Sequence, residues 1–345
     1  MMIVRPITAQ DHDALWQIAK ITGAGFTSLQ PNPEAVANKL DWALASFDHS
    51  SNKPADRQDD FLYLFVMEDN QTGEVVGTAG IESAVGLNAP WYNYKVNTQV
   101  HASRKLDVYN TVETLMLCSD HTSFSELCTL FLNPDFRHSS NGALLSKSRL
   151  MFLAAFPKLF SHTVIAEMRG YCDENDISPF WEALGRHFFS VDFIDADRHI
   201  SADKAIIAEL MPRHPIYANL LPEDACNVIG VTHESTTPAR KLLEDEGFRY
   251  TKYVDIFDAG PLLETKVQDI RAVRDSHVFK VKIIDNPTTD ERRWVIANDH
   301  FKDFRCTVGS LSFGGFEFVN ISSEQAQALN VQGNDLLRVV PLNAS

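Results

Sequence analysis

Residues Leu127 to Leu150, LCTLFLNPDFRHSSNGALLSKSRL, join an apolar run to an amphipathic one through a polar turn containing Arg137, Ser140, Asn141 and Gly142. A strand feeding a helix this directly leaves the first helical amides without internal partners, and those donors add to the positive end of the helix dipole. The combination suits an anion, and a pyrophosphate in particular. Gly142 permits close approach because it has no Cβ, and Arg137 can offer a fork of donors. Neither GxxxxGK[ST] nor GxGxxG occurs, so nucleotide hydrolysis and hydride transfer lose ground.

The rest of the chain bounds the setting of this turn. Its 345 residues, 44% hydrophobic, suffice for one large core or two smaller ones. A formal net charge of -15 without a Lys/Arg run argues against nucleic acid as a partner. The longest apolar stretch, Phe61 to Met67, is far shorter than the roughly 20 residues a spanning helix needs. MMIVRPITAQDHD shows no secretory pattern, so a cytoplasmic protein without membrane contact is expected. Five scattered cysteines with no CxxC pair read as mostly buried, reduced thiols; neither a disulfide framework nor a metal site is expected.

Ile3 to Ile7 reads as a strand, and Thr8 with Asp11 as an approximate capping box opening a helix. Pro33 starts a second helix with Val36, Leu40, Leu44 and Phe47 on one stripe, followed by a polar loop before Asp60. Phe61 to Met67 and Val75 to Ile81 form an antiparallel pair; within Ser83 to Ser123, WYNYKVNTQVH and Val112 to Leu117 read as strands joined by irregular pieces, and the stretch reads as an insertion near an active site. Leu127 to Leu132 is the next strand. Asn141 to Phe160 is a helix with Leu144, Ser148, Met151, Ala155 and Leu159 on one face, and Thr163 to Met168 is a strand. Ser178 opens a helix facing inward with Phe180, Trp181, Leu184 and Phe188; Thr237 and Pro238 open another, which Gly247 ends before the strand RYTKYVDIF. After about residue 275 short strand candidates dominate, giving two parts, 1–275 and a small β-rich subdomain at 276–345.

"LFLNPDFRHSSNGALL" resembles the acyl-CoA-binding segment of the GNAT acyltransferases, where a strand runs through RxxGxG/A into a helix; here Ser140 replaces the first glycine. "GLNAPWYNYKV", "SELCTLFLNPDFR", "LLSKSRLMFLAAF", "AEMRGYCDE", "SPFWEALGRHFFSVDF", "IAELMPRHPIY" and "ARKLLEDEGFRYTKYVDIFDAGP" together are similar to bacterial arginine N-succinyltransferases. The resemblance implies an α+β fold with a mixed, mostly antiparallel sheet flanked by helices. It further implies succinyl transfer from succinyl-CoA to the α-amine of L-arginine in arginine catabolism, by direct attack in a ternary complex. By match to that family's pattern, His233 in "IGVTHESTTPAR" is the proton-transferring residue and Leu130 a succinyl-CoA contact, with Arg137, Ser140, Asn141, Gly142 and Ala143 forming the coenzyme loop. Succinyl-CoA enters as a co-substrate, and no permanently bound cofactor is implied.

The chemistry sets further requirements. An α-amine titrating at roughly 8 must lose a proton before attacking a thioester, and histidine is suited to relay it. A guanidinium calls for carboxylates, with Glu126, Glu167, Asp173 and Glu174 as candidates; the succinyl carboxylate calls for a cation, with Arg169 and Arg104. Lys147 and Arg149 read equally as coenzyme ligands or as a solvated helix face. Ornithine or another amino acid as acceptor, a non-catalytic CoA-binding assembly module, and a homo-oligomer all stay open.

Overall fold

The computed structural model describes residues 1–22, 26, 28–49, 60–192, 210–285 and 292–343. β1 (Met2–Pro6) leads through a turn in which the Thr8 amide donates to Asp11 Oδ2 at 2.7 Å into α1 (His12–Ile21). The anticipated box is present, and the Arg5 fork reinforces it, donating to both Asp11 oxygens at 2.7 and 2.8 Å. Asn32 Oδ1 accepts from the Glu34 and Ala35 amides to start α2 (Pro33–His49). The polar segment at 50–59 lies outside the described residues.

β2 (Leu62–Asp69) pairs antiparallel with β1 and with β3 (Val75–Glu82). Alternation divides its side chains between two cores: Leu62, Leu64 and Val66 meet α1 and α2, while Tyr63, Phe65 and Met67 meet the opposite layer. The two strands read within Ser83 to Ser123 pair as one long hairpin, β4 (Asn93–Ser103) and β5 (Val108–Cys118). Its outer end is exposed on both faces, so the apolar alternation fades there and the pieces joining the two strands read as irregular.

β6 (Ser125–Leu132) runs beside β3 and enters α3 (Asn141–Ala155), which is followed by β7 (Thr163–Glu167). Leu159 falls beyond the helix, in a short 3-10 turn. Ser178 Oγ accepts from the Trp181 amide as the start signal implied, but the next turn is a π-helix, Trp181–Gly185, before α4 (Arg186–Phe189). That wider turn rotates Phe188 outward, so it is exposed, not inward. β8 (Ile216–Tyr217), α5 (Glu223–Asn227), α6 (Thr237–Asp245), β9 (Arg249–Val254), β10 (Pro261–Lys266) and α7 (Arg271–Arg274) follow.

The last segment holds β11 (His277–Ile283), β12 (Arg293–Asn298), β13 (Cys306–Ser310), β14 (Ser312–Gly314), β15 (Phe318–Ile321), α8 (Ser323–Leu329) and β16 (Leu336–Pro341). All strands among the described residues join one sheet, in the order β14-β15-β11-β16-β12-β13-β1-β2-β3-β6-β7-β10-β9-β4-β5-β8. Its pairings are antiparallel except β6 with β7 and β11 with β15, so the α+β class with a mostly antiparallel sheet is as expected. The C-terminal strands have their own small core, yet β13 pairs with β1 and continues the central sheet. No described helix is long and apolar enough to cross a membrane.

Candidate active site

β6 is the strand on which the site is built. Against β3 its register slips: Thr78 faces Phe131, but Gly80 faces Cys128, so three residues of β6 span two of β3. The extra residue is a bulge at Thr129, which holds φ +51° in the left-handed region. Toward β7, β6 pairs in parallel only at Ser125 with Val164 and Glu126 with Ile165, and no rung joins the two strands beyond these. Leu130 therefore sits half-buried just past the bulge, where β6 and β7 diverge, with its side chain packed on the main core.

At the far end of β6 the chain turns through Arg137 to Ala143. Arg137 Nε donates to the Leu132 carbonyl at 3.0 Å, tethering the guanidinium to the strand end while leaving its terminal nitrogens outward. Asn141 Nδ2 closes the turn onto the Phe136 carbonyl at 3.0 Å. Ser139 and Ser140 take φ +54° and +72°, a conformation that favours glycine, which gives a physical reason for the glycine that Ser140 replaces. A Cβ built on Gly142 would meet no atom within 4 Å, so the turn is open at this residue, and the first-turn amides of Gly142 and Ala143 have no backbone acceptor.

His233 caps a short 3-10 turn, Glu234–Thr236, that is held against the residues following β7. Its amide donates to the Arg169 carbonyl at 2.8 Å, and Thr232 forms a bridge with Gly170, directly after β7. Nδ1 is occupied by Ser235, with Oγ at 2.8 Å and the amide at 3.2 Å, so Nε2 is the nitrogen left for a reactant. Partial burial, and then the Arg169 charge, push the imidazole pKa below its ordinary 6.5. The ring is thus neutral near pH 7, and its Nε2 can take up a proton in the tautomer that carries the hydrogen on Nδ1, toward Ser235 Oγ.

A buried carboxylate that the sequence reading passed over fixes this segment. Asp258 accepts from the Gly170 amide at 2.7 Å and the Gly260 amide at 2.8 Å, and the Ala259 carbonyl accepts from Gly230 at 2.9 Å. One turn, Asp255 to Gly260, therefore clamps both the end of β7 and the stretch leading to His233. A Cβ at Gly170 would collide with Asp258, and one at Gly260 with the Met168 carbonyl. Burial, and then the neighbouring Asp255, push the Asp258 pKa well above its ordinary value. The signal for it was the pair of glycines in "MRGY" and "DAGP".

The remaining candidates disperse. Asn93 Nδ2 donates to Glu167 at 2.8 Å, and Glu126 lies opposite Glu82 across β3 and β6. Asp173 serves as a turn acceptor for the Asn175 and Ile177 amides, and Glu174 is exposed beside it. Arg104 is exposed on the hairpin tip, while Arg169 pairs with Asp176 at 2.8 Å beside His233. Lys147 and Arg149 need correction: neither is solvated, because α3 is buried on every side from Leu144 to Leu153 between the sheet, α6 and α7. Lys147 donates to Glu246 Oε1 at 2.8 Å and the Leu342 carbonyl at 2.6 Å, and neither it nor Arg149 reaches the coenzyme turn as a surface ligand. Burial pushes the Arg149 guanidinium pKa down to about 10.

The family model described as "Arginine N-succinyltransferase beta subunit" matches residues 2–272, and that of its C-terminal domain matches residues 277–341. The chain belongs to the arginine N-succinyltransferase beta subunit family. An arginine N-succinyltransferase of Yersinia pseudotuberculosis serotype O:3 (strain YPIII) is 48% identical over 352 residues, covering 100% of this chain and 99% of that protein. One from Escherichia coli (strain 55989 / EAEC) is 46% identical over 345 residues, covering 100% and 98%. The solved structure of arginine/ornithine succinyltransferase subunit AI from Pseudomonas aeruginosa superposes with a TM-score of 0.90 at 33% identity, covering 100% of this chain and 99% of that one. This family member therefore shares its fold, from end to end, with an acyltransferase.

Proposed function

We propose that the protein transfers a succinyl group from succinyl-CoA to the α-amine of L-arginine. The divergence of β6 and β7 carries the reading: it opens a slot with the anion-suited turn at one end, Leu130 on one wall and His233 on the other. A CoA thioester laid along it has its pyrophosphate against the Gly142 and Ala143 amides and Arg137, with Ser140 and Asn141 shaping the turn. The amine nitrogen attacks the thioester carbonyl, the C–S bond breaks, and the amide and free CoA thiol form. In the tautomer whose Nδ1–H donates to Ser235 Oγ, His233 Nε2 takes the proton from the attacking nitrogen and returns it to the departing sulfur.

Direct attack is favoured over an acyl-cysteine intermediate. Burial raises all five thiols, Cys128 to about 12 and Cys172 to about 11, which leaves them protonated and weakly nucleophilic. The name of the Pseudomonas structure supports L-ornithine as a second acceptor to be assayed. The reading includes a cytoplasmic location, small-molecule partners only, and residues 276–345 as a β subdomain locked onto the catalytic part.

Mixing the protein with succinyl-CoA and L-arginine should release free thiol, and His233→Ala should slow that release by on the order of 100-fold or more. Absence of release would favour a non-catalytic coenzyme-binding module; full activity in the variant would make His233 structural.

A further inference from the structure

Arg149 is 1% exposed, and among the described residues no carboxylate pairs with it. Its guanidinium contacts are all long and neutral: Nε to the Ser146 carbonyl at 3.3 Å, Nη2 to Ser146 Oγ at 3.3 Å, Nη1 to the Cys128 carbonyl at 3.5 Å. Lys147, two residues away and as deeply buried, is given an anion in Glu246. A buried cation without a counter-ion is costly, so the contrast between these neighbours calls for a reason. Arg149 also points at a specific place, the carbonyl immediately before the β6 bulge. The next residue, Thr129, is 2% exposed, and its Oγ1 has no hydrogen-bond partner. An unpaired guanidinium and an unsatisfied hydroxyl thus flank one kink, where β6 leaves β7. Both are donors, and a carboxylate has the acceptor oxygens to serve both.

We propose that Arg149, assisted by Thr129, binds the terminal carboxylate of the acyl donor and so selects a dicarboxylic acyl group over a neutral one. The inference rests on the proposed reading that the β6–β7 slot holds the acyl-CoA. There the thioester lies near Leu130 and His233, and two methylenes carry the acid group onward toward the bulge. Arg169 and Arg104 are displaced from this role, because Arg169 already has Asp176 and Arg104 is exposed on the hairpin.

The test compares succinyl-CoA with butyryl-CoA, which replaces the carboxylate by a methyl group at equal chain length, using the full-length protein and L-arginine. The wild type should favour succinyl-CoA by about 100-fold in kcat/KM. In Arg149→Met that ratio should collapse, with succinyl transfer falling by about 100-fold and butyryl transfer changing by less than about threefold. Arg149→Lys should keep part of the preference, and Thr129→Val should lower the ratio by about three- to tenfold. Equal losses for both donors would overturn the proposal, as would a ratio that survives Arg149→Met and collapses in Arg169→Met. Should Arg149→Met fail to fold, Arg149→Lys and Thr129→Val decide by the same ratio. A wild type without preference would remove the donor reading and this proposal together; a wild-type preference that the variants retain would remove this proposal alone.

Discussion

Replacing Glu246 by Gln isolates the electrostatics that hold the two parts of the chain together. Glu246 is 1% exposed and accepts from Lys147 Nζ at 2.8 Å, Arg271 Nη2 at 2.6 Å, Arg271 Nε at 3.1 Å and the Ala272 amide at 2.7 Å. Both cations also reach the last strand: Lys147 donates to the Leu342 carbonyl and Arg271 to that of Pro341. The glutamine keeps the shape and deletes the charge, which leaves two buried cations, 3% and 8% exposed, with no anion. Breaking a buried pair costs about 3–5 kcal/mol, and at about 1.4 °C per kcal/mol for a chain this long Tm should fall by roughly 4–7 °C. The assay is thermal unfolding followed by circular dichroism at low and at high salt, with little change between them because buried charges are poorly screened. Adding Lys147→Met to Glu246→Gln removes one stranded cation and should recover about 1–2 kcal/mol. A single-variant loss under about 1 kcal/mol, or a double variant less stable than the single, would refute this reasoning.

Other expectations concern the site. Because burial and Arg169 depress the His233 pKa, the acid limb of the kcat/KM profile should lie below pH 6.5. Arg169→Gln deletes a positive charge, favours the imidazolium and should move that limb upward; an unmoved or lowered limb refutes the assignment. Asp258→Asn offers one acceptor oxygen where two amides need partners, so His233 should shift and kcat fall about tenfold with KM nearly constant. Measured in a His233→Ala background, the same change should cost nothing further, and additive losses would show that Asp258 acts elsewhere. Ser140→Gly should relieve left-handed strain at φ +72° and raise stability by up to about 1 kcal/mol, and a fall in Tm would contradict the strain.

What the sequence revealed follows how local each cause is. α2, the β2–β3 pair and α6 were legible because their caps, alternation and apolar stripes lie within one segment. Lys147 and Arg149 were not, since charged residues two apart on a helix read as a wet face, and the anion that buries Lys147 stands 99 residues away. The C-terminal strands could be recognised, but their attachment through β13 to β1 could not, because such a pairing leaves no periodic trace. At the site, the strand, polar turn and helix could be read from the residues themselves. His233 came from family resemblance alone, as a half-buried histidine capping a short turn has no spacing of its own. The Thr129 bulge was silent, since threonine is an ordinary strand residue.

The position of β1 between β2 and β13 also sets a schedule for the newborn chain. β1 must wait for Cys306 and its neighbours, far downstream of it in the chain, before its outer rim is covered. Until then that rim is an adhesive border open to other nascent chains. A fragment stopped at residue 275 keeps the border bare permanently and should collect in the insoluble fraction, whereas co-expressing residues 276–345 should return it to solution.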